Sequence, residues 1–397
     1  MLATHLECFR CAAEYPMDAR AYLCPKCGPD GDDPGILDVR YDYAAARQIP
    51  FESREDVFRY MPLLPVRAPV PTLAAGGTAL VATPRIAARL GLSGLYLKDE
   101  TRNPTRCLKD RATAIAMALA LELGCTDVYC ASAGNAAISL AGFAAHAGLR
   151  CHAFVPSYAS ATRLDWLRRF GAQTHVSSGN YDQAFAEAEA AGMENNQARR
   201  AGSSSEARSA GSSSEARGAG SSWFSRNCAF NPFLVEGKKT CALEIAERIA
   251  PDFVIAPVGD GCTLGAIGKG FREARELGLI ERLPRLIGVQ AAGVQPMVAR
   301  FRGLETADEG ETAAASIAVR RPRNALRLLR ELKESGGEMV AVSDPQIGMA
   351  QRRLAERAGI VAEFTSAATL AALEVLALRG SIEGQVGVLV ITGGRVD

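Results

Sequence analysis

One lysine stands where its amine could take part in chemistry. Lys109 lies in the stretch RNPTRCLKDRATA, after a proline turn, beside the apolar Leu108 and at the start of an alanine-rich pattern that predicts a helix over 108–124. The positive end of the helix dipole and the apolar neighbour both disfavour a charged ammonium. A neutral amine is the form that condenses with a carbonyl group, so Lys109 is a candidate for covalent catalysis. The alternative is an ordinary solvated lysine at a helix start.

A second candidate site is a glycine-rich turn that follows a predicted buried strand, DFVIAPVG. Backbone N–H groups at the start of a helix bind anions, and glycines let a phosphate come close. The turn matches neither the GxGxxG dinucleotide pattern nor a Walker loop. It therefore predicts a phosphate cradle of another kind, with a simple turn as the alternative. The cradle residues are Val258, Gly259, Asp260, Gly261, Cys262 and Thr263.

Two further polar side chains follow predicted strands. Asn135 lies in the turn SAGNAA and could hydrogen-bond a ring hydroxyl, with a helix cap as the alternative. Thr392 ends the last predicted strand, QVGVLVITGG. Open α/β sheets bind ligands at the carboxyl ends of their strands. One lysine, one phosphate cradle, one amide and one hydroxyl at such ends favour a phosphorylated aldehyde cofactor.

Four cysteines near the start of the chain form two CxxC pairs. They are Cys8, Cys11, Cys24 and Cys27. Each pair turns two thiolates toward one point, so the spacing predicts a structural zinc site of the zinc-ribbon type within residues 1–40. A set of thiols without metal is the alternative. The flanks HLE, YPMD and GPDGDD are acidic or neutral, which disfavours nucleic acid as a partner.

Composition narrows the class of protein. The chain has 397 residues, 48% of them hydrophobic, and a net charge of +1, so no polyanionic partner is indicated. No apolar run of about 18 residues or more occurs, so no membrane helix is expected. The start, MLATHLECFRC, has no export leader, and the 11 cysteines fit reduced thiols and metal ligands. We expect a cytoplasmic protein.

The elements that must position these residues alternate along the chain. Predicted strands at 94–100, 127–131 and 151–156 alternate with alanine-rich helical patterns, and the same alternation resumes after residue 222. This order predicts an α/β fold with a parallel sheet.

A low-complexity segment at 198–222 interrupts the alternation. It contains the unit AGSSSEAR twice and has no apolar face, so it predicts a flexible surface insertion that the chemistry does not need. A regulatory or partner-binding loop is the alternative.

Taken together, the motifs resemble those of the fold-type II pyridoxal-phosphate enzymes, most closely their threonine synthase-like branch. The resemblance covers most of residues 1–190 and 223–397. The matching stretches are the NPT-x-x-[FL]-KDR motif at Asn103–Arg111, the S-x-GN-[TA]-A loop at Ser132–Ala137, the PVG[ND]G turn at Pro257–Gly261, the NP-x-x-x-EGKKT stretch at Asn231–Thr240 and the TG pair at Thr392–Gly393.

The resemblance implies a role for each motif. Lys109 would carry pyridoxal phosphate and act as the base, the glycine turn would hold its phosphate, Asn135 its phenolic oxygen, and Thr392 would face its ring nitrogen. The catalytic domain, residues 41–397, would have two lobes, the smaller at about 105–190. The implied reaction is that of a lyase of amino-acid biosynthesis, which converts O-phospho-L-homoserine and water into L-threonine and phosphate. A homodimer is usual among such enzymes.

The chain departs from the family pattern around the substrate. Cys228, Ala229 and Leu234 replace polar or basic residues, and Arg106-Cys107 replaces Gly-Ser. Two alternatives therefore stay open: β-replacement on O-phosphoserine, as in cysteate or cysteine synthases, and a non-catalytic protein that binds the cofactor or zinc. The candidate substrate contacts are Arg106, Cys107, Ser132, Ala133, Gly134, Arg226 and Asn227.

Overall fold

A computed structural model describes residues 1–206, 222–305 and 310–394, without the side chains of 198–206. The chain divides into two compact units. The large unit comprises Met1–Pro65, Ala74–Ala112 and Cys228–Val396, and the small unit comprises Val66–Leu73 and Thr113–Asn227. The small unit overlaps the lobe expected at about 105–190 from Thr113 onward, and that division into lobes stays a prediction.

The strands and helices are numbered in chain order. The strands are β1 (Ala3–Cys8), β2 (Glu14–Pro16), β3 (Leu37–Tyr41), β4 (Leu80–Ala82), β5 (Gly94–Asp99), β6 (Asp127–Ala131), β7 (Arg150–Val155), β8 (Gln173–Val176), β9 (Trp223–Ser225), β10 (Phe253–Pro257), β11 (Arg285–Ala291), β12 (Glu338–Val342) and β13 (Val386–Ile391). The α-helices are α1 (Tyr43–Ala46), α2 (Pro84–Arg89), α3 (Lys109–Glu122), α4 (Asn135–Ala147), α5 (Ala161–Arg169), α6 (Tyr181–Glu206), α7 (Phe233–Ala246), α8 (Cys262–Glu276), α9 (Pro296–Phe301), α10 (Ala325–Ser335), α11 (Asp344–Ala358) and α12 (Phe364–Leu378). Short 3-10 helices cover Val57–Leu63, Glu100–Arg102 and Ala315–Ile317.

The large unit is built on a six-stranded sheet. Its strand order is β12-β11-β10-β13-β5-β4, and every neighbouring pair is parallel except β4–β5 at the edge. All five residues of β10, FVIAP, are buried, as is typical of a strand covered on both faces by helices. Alanine and leucine side chains of α12 join this core. The carboxyl ends of β10 and β13 lead into the two turns that the sequence singled out.

The small unit has a sheet of its own. Its order is β8-β7-β6-β9, and all neighbouring pairs are parallel. The central strand β6, DVYCA, is buried throughout and leads into the SAGN turn. The prediction of an α/β fold with parallel sheets is therefore confirmed.

A three-stranded antiparallel sheet, β2-β1-β3, forms the start of the large unit. Leu6 on β1 pairs with Tyr15 on one side and Val39 on the other. The four N-terminal cysteines lie on or between these strands.

The predicted insertion at 198–222 is described only in part. Helix α6 continues to Glu206, so the first residues of this segment have helical backbone rather than the flexible chain expected, while 207–221 lie outside the described residues. Within the described chain, no helix combines the length and apolar character needed to cross a membrane.

Candidate active site

Lys109 is the first residue of α3, and it is half-buried beside fully buried Cys107 and Leu108. Its Nζ lies 3.4 Å from the hydroxyl of Thr263 and donates to it. Thr263 belongs to the first turn of α8, so the structure brings the lysine to the glycine turn. The two stretches are far apart in sequence and meet within the large unit.

The segment before Lys109 is fastened to the end of β13. The N–H of Leu108 donates to the carbonyl of Thr392 at 2.8 Å, and Cys107 forms a β-bridge with Gly393. Inside the segment, the Asp110 carboxylate accepts from the N–H of Thr105 at 2.6 Å and from its hydroxyl at 2.5 Å. These contacts explain the spacing of the NPT and KDR residues, because threonine and aspartate close the turn that presents the lysine.

The glycine turn has the shape of an anion cradle. Gly261 has φ +89°, and a Cβ built there would lie 2.8 Å from the carbonyl oxygen of Asn324. A Cβ on Gly259 would lie 3.1 Å from the carbonyl oxygen of Ser316. Side chains here would press against the backbone of those two neighbouring segments, so close packing keeps the turn free of side chains at the N-terminus of α8, where backbone N–H groups favour a phosphate. One of these, the N–H of Cys262, donates to the Asp260 carboxylate at 2.9 Å.

Thr392 is held in place by a residue that the sequence motifs did not single out. Its hydroxyl lies 2.9 Å from that of Ser366, which in turn accepts from the N–H of Gly393 at 2.9 Å. Ser366 is buried in the first turn of α12. The hydroxyl at the end of β13 therefore has a fixed position and a neutral partner.

Lys238, of the EGKKT stretch, is a buried lysine beside the cradle. Its Nζ lies 2.9 Å from the Cys262 sulfur, and both side chains are almost completely buried. A hydrogen bond with the half-buried Cys228, together with burial, holds the pKa of Cys262 well above its usual range in spite of Lys238. Sequence reasoning assigned Cys262 to the cradle but gave Lys238 no role.

In the small unit, the SAGN turn joins β6 to α4. Gly134 is the N-cap residue of α4, and Asn135 is its first helical residue, so Asn135 does not cap the helix. The Ser132 hydroxyl accepts from the N–H of Gly134 at 3.0 Å, and Ala133 is half-buried.

Arg226 and Asn227, expected as substrate contacts, have partners within the small unit. The Arg226 Nε donates to the hydroxyl of Thr113 at 3.2 Å, and the side chain is almost fully buried. The Asn227 amide accepts from the N–H of Ala131 at 2.8 Å and donates to Glu189 at 2.6 Å. Burial raises the pKa of Glu189, although hydrogen bonds from Asn227 and other groups oppose the shift. In this structure Asn227 therefore secures the end of β6.

The sulfur atoms of the four N-terminal cysteines form one cluster. Their Sγ atoms all lie within 4.8 Å of one another, with 3.9 Å between Cys8 and Cys27 and 3.7 Å between Cys11 and Cys24. Tetrahedral zinc with Zn–S distances of about 2.3 Å separates its sulfurs by about 3.8 Å. The thiol pKa values differ within the set. Burial by itself raises the pKa of Cys24, but hydrogen bonds from the Tyr15 hydroxyl and from backbone amides lower it to about 6, whereas burial and the neighbouring thiols raise the pKa of Cys27 to about 12. The chemistry and spacing of this set fit zinc.

Comparison with known proteins places these features in a family. A family profile described as pyridoxal-phosphate dependent enzyme matches residues 71–393. The threonine synthase of Methanosarcina acetivorans is 34% identical, over 99% of this chain and 91% of that protein, and the threonine synthase of Methanocaldococcus jannaschii is 33% identical, over 98% and 91%.

Among solved structures, a fungal L-serine ammonia-lyase from Rhizomucor miehei superposes with a TM-score of 0.64 at 19% identity, over 82% of this chain and 95% of that one. At 19% identity this structural similarity supports only the fold. The two threonine synthases, at 34% and 33% identity, support membership of their branch of the family. The chain therefore belongs to the pyridoxal-phosphate-dependent enzyme family, in the branch that contains the threonine synthases.

Proposed function

We propose that this enzyme converts O-phospho-L-homoserine and water into L-threonine and phosphate. The Cγ–O bond breaks and phosphate leaves, Cβ loses one of its two protons and bonds to the hydroxyl of water, and Cγ gains a proton to become a methyl group. The observation that carries the proposal is the similarity to threonine synthases over 99% of the chain. The Lys109–Thr263 contact at the glycine cradle supports it.

The residues of the large unit fit pyridoxal phosphate. The turn at Gly259 and Gly261 has no room for side chains and opens onto the N-terminus of α8, which suits the phosphate. The half-buried Lys109 amine suits covalent attachment. The cofactor, when bound, supplies a ring that withdraws electrons and stabilises negative charge at the substrate Cα.

Side chains of the protein would hold the cofactor, move a proton and set the electronic character of the ring. Lys109 would hold the cofactor until substrate arrives, and its freed amine would then move the Cα proton. Thr263 would orient this amine through the contact at 3.4 Å. The Thr392 hydroxyl, fixed by Ser366, is neutral, so it does not favour a protonated ring nitrogen as a carboxylate would. An unprotonated ring nitrogen withdraws electrons less strongly, and this favours elimination and replacement over transamination. The role of Asn135 stays a prediction from the sequence.

Three further assignments belong to the proposal. The four N-terminal cysteines would hold one structural zinc ion, for which the spacing of their sulfurs is the support. A cytoplasmic location agrees with eleven cysteines that form no disulfide in the described chain. A homodimer is the state that the family resemblance implies.

The direct test is product analysis with purified enzyme. O-phospho-L-homoserine should yield threonine and phosphate in equal amounts. Lys109→Ala should lower kcat by about 10³-fold or more, because it removes both the attachment point and the base. It should also abolish the adduct found on the Lys109 peptide by mass spectrometry after borohydride reduction. Lys333→Ala, at an exposed lysine, is the matched control and should change neither readout.

The outcome that contradicts the assignment is equally concrete. If the wild-type enzyme makes no threonine but forms cysteate or cysteine from O-phosphoserine with sulfite or sulfide, it is a β-replacement enzyme. The substitutions at Cys107, Cys228 and Leu234 would then reflect a change of substrate.

A further inference from the structure

Arg106 has a backbone conformation that arginine seldom adopts. Its φ is +64°, and in the described part of the chain only one other non-glycine residue, Ala12, has a positive φ. The left-handed region brings Cβ too close to the following carbonyl, which is why glycine or asparagine normally occupies it. Residues kept in this region against their preference cluster at functional sites.

The surrounding backbone imposes this conformation. The N–H of Arg106 donates to the carbonyl of Asn103 at 2.8 Å, and its carbonyl accepts from the N–H of Gly394 at 3.1 Å. The next two residues are fixed as well, by the Cys107–Gly393 bridge and by the hydrogen bond from Leu108 to Thr392. Arg106 therefore cannot relax without separating the lysine segment from the end of β13. Glycine would satisfy the same contacts with less strain.

The arginine side chain gives the described fold no contact that offsets this strain. It is exposed, and its guanidinium forms no hydrogen bond or ion pair with any residue that the structure describes. Arg102, four residues earlier and also exposed, differs because its Nε pairs with Asp99 at 3.1 Å. Arg106 thus combines a strained backbone with an exposed guanidinium that has no partner in the described residues. This combination indicates that the side chain binds a ligand and does not stabilise the fold.

The position of Arg106 indicates which ligand. It precedes Lys109 by three residues, and its carbonyl is bound to the strand end that carries Thr392. We propose that Arg106 binds the phosphate of the substrate and so selects phosphorylated amino acids; this inference rests on the proposed function. A guanidinium is suited to the task, because its planar donors pair with two phosphate oxygens at once.

Three variants separate the charge from the backbone strain. Arg106→Gly removes the charge and relieves the strain, Arg106→Ala removes the charge and keeps the strain, and Arg106→Lys keeps the charge. Each is assayed with O-phosphohomoserine and with O-acetylhomoserine, whose ester group carries no charge in the intact substrate. The measured quantity is the ratio of the two kcat/KM values. Arg102→Ala is the matched control.

The glycine and alanine variants should both lower this ratio by about 10- to 100-fold, the size expected when a charge-assisted contact is lost. The lysine variant should recover part of the preference. The melting temperature of Arg106→Gly should equal or exceed that of the wild type, which shows that the variant folds. An unchanged ratio in both Arg106→Gly and Arg106→Ala would overturn the proposal, as would an equal loss in Arg102→Ala.

Failure of the proposed function is distinguishable from failure of this inference. If the wild-type enzyme acts on O-phosphoserine instead, the same ratio is measured with O-phosphoserine and O-acetylserine. A fall in the glycine and alanine variants would still support phosphate binding by Arg106, and an unchanged ratio would still exclude it.

Discussion

Arg111, two residues after Lys109, is a buried charged residue. Arg111 is completely buried, and its guanidinium contacts Glu100 at 2.7 Å and Glu244 at 2.5 Å. The buried Lys98 donates to the same Glu244 at 2.6 Å. Removing one partner from such a cluster leaves an uncompensated buried charge. The cluster therefore fixes the first turn of α3 and, with it, the lysine amine.

The pH dependence of protein stability tests the role of Glu244 in this cluster. Burial by itself raises its pKa, but Arg111 and Lys98 outweigh burial and lower the pKa to about 2, from an ordinary value of 4.5. The carboxylate therefore contributes stability that is fully present above pH 4.5 and is lost as the pH falls toward 2. Glu244→Gln should lower the free energy of unfolding at neutral pH by about 3 kcal/mol. Between pH 4.5 and pH 2 its stability should change less than that of the wild type.

Chemical denaturation over a series of pH values measures both effects. Glu247→Gln is the control, because Glu247 pairs with Arg59 at 2.8 Å on a partly exposed surface. Its loss should stay below about 1 kcal/mol. Equal losses of unfolding free energy in the two variants would show that the buried Glu244 cluster stabilises the protein no more than a partly exposed ion pair does.

Turns at strand ends leave a local signal in the sequence, whereas buried charges do not. Proline, glycine and apolar neighbours mark the turns at Lys109 and at the glycine stretch, and in the structure Lys109 contacts Thr263. Their assignment as site residues stays a prediction. Arg111 and Lys238 were not recognised as interior residues. Charged residues are normally exposed, and only the tertiary partners from distant segments show otherwise.

At the scale of elements, β3 joins the cysteine-bearing sheet to helices of the large unit. Asp38 on β3 is buried and contacts Lys269 of α8 and Arg327 of α10, both at 3.0 Å. Burial opposes its charge, but these cations hold its pKa well below the usual range. The sheet is thus attached through an ion cluster that does not include the cysteines.

This separation predicts what loss of metal would do. The wild-type protein should contain one zinc ion per chain, measured by inductively coupled plasma mass spectrometry. Cys24→Ser should abolish zinc binding and lower the melting temperature by several degrees, because metal binding to folded thiolates contributes folding free energy. The visible absorbance of bound cofactor should persist, since Asp38 still attaches the sheet.

Cys125→Ser is the control for a cysteine outside the cluster. Its sulfur lies 3.5 Å from the Ser222 hydroxyl, and zinc content should not change. A wild-type protein without zinc, or a Cys24→Ser variant that retains it, would contradict the assignment.

Long elements were easier to predict than short ones. The strand β10 is a continuous apolar run and β6 is apolar after Asp127, as is typical of parallel strands buried on both faces. The three-residue strands β2, β4 and β9 were not predicted, because so few residues show no periodic pattern. The longer strands β1, β3 and β12 were not predicted either. Helix α6 extends into the predicted insertion, where alanine and arginine at 198–201 favour helix even without an apolar face. The glycine and serines at 202–205 do not, so helix propensity does not account for the last turn.

At the scale of the whole molecule, the chain returns from α6 to the sheet of the small unit through a stretch that includes residues 207–221. The elements on either side are joined independently of that stretch. The Asn196 amide accepts from the N–H of Trp223 at 3.0 Å and donates to its carbonyl at 3.1 Å. This side chain reproduces the pairing of a neighbouring strand and fixes β9 against α6.

Replacing residues 207–221 with a short Gly/Ser linker should therefore leave the enzyme almost unchanged. The repeats are polar and low in complexity, so they have no apolar face with which to add to a core. We expect a melting temperature within about 2 °C of the wild type, the same cofactor absorbance and the same kcat. Asn196→Ala, in the otherwise intact chain, should instead lower the melting temperature, because the N–H and carbonyl of Trp223 lose their hydrogen bonds with the Asn196 amide. If the linker variant loses cofactor or stability while Asn196→Ala does not, the repeats form part of the structure, and the Asn196 contact does not hold β9 by itself.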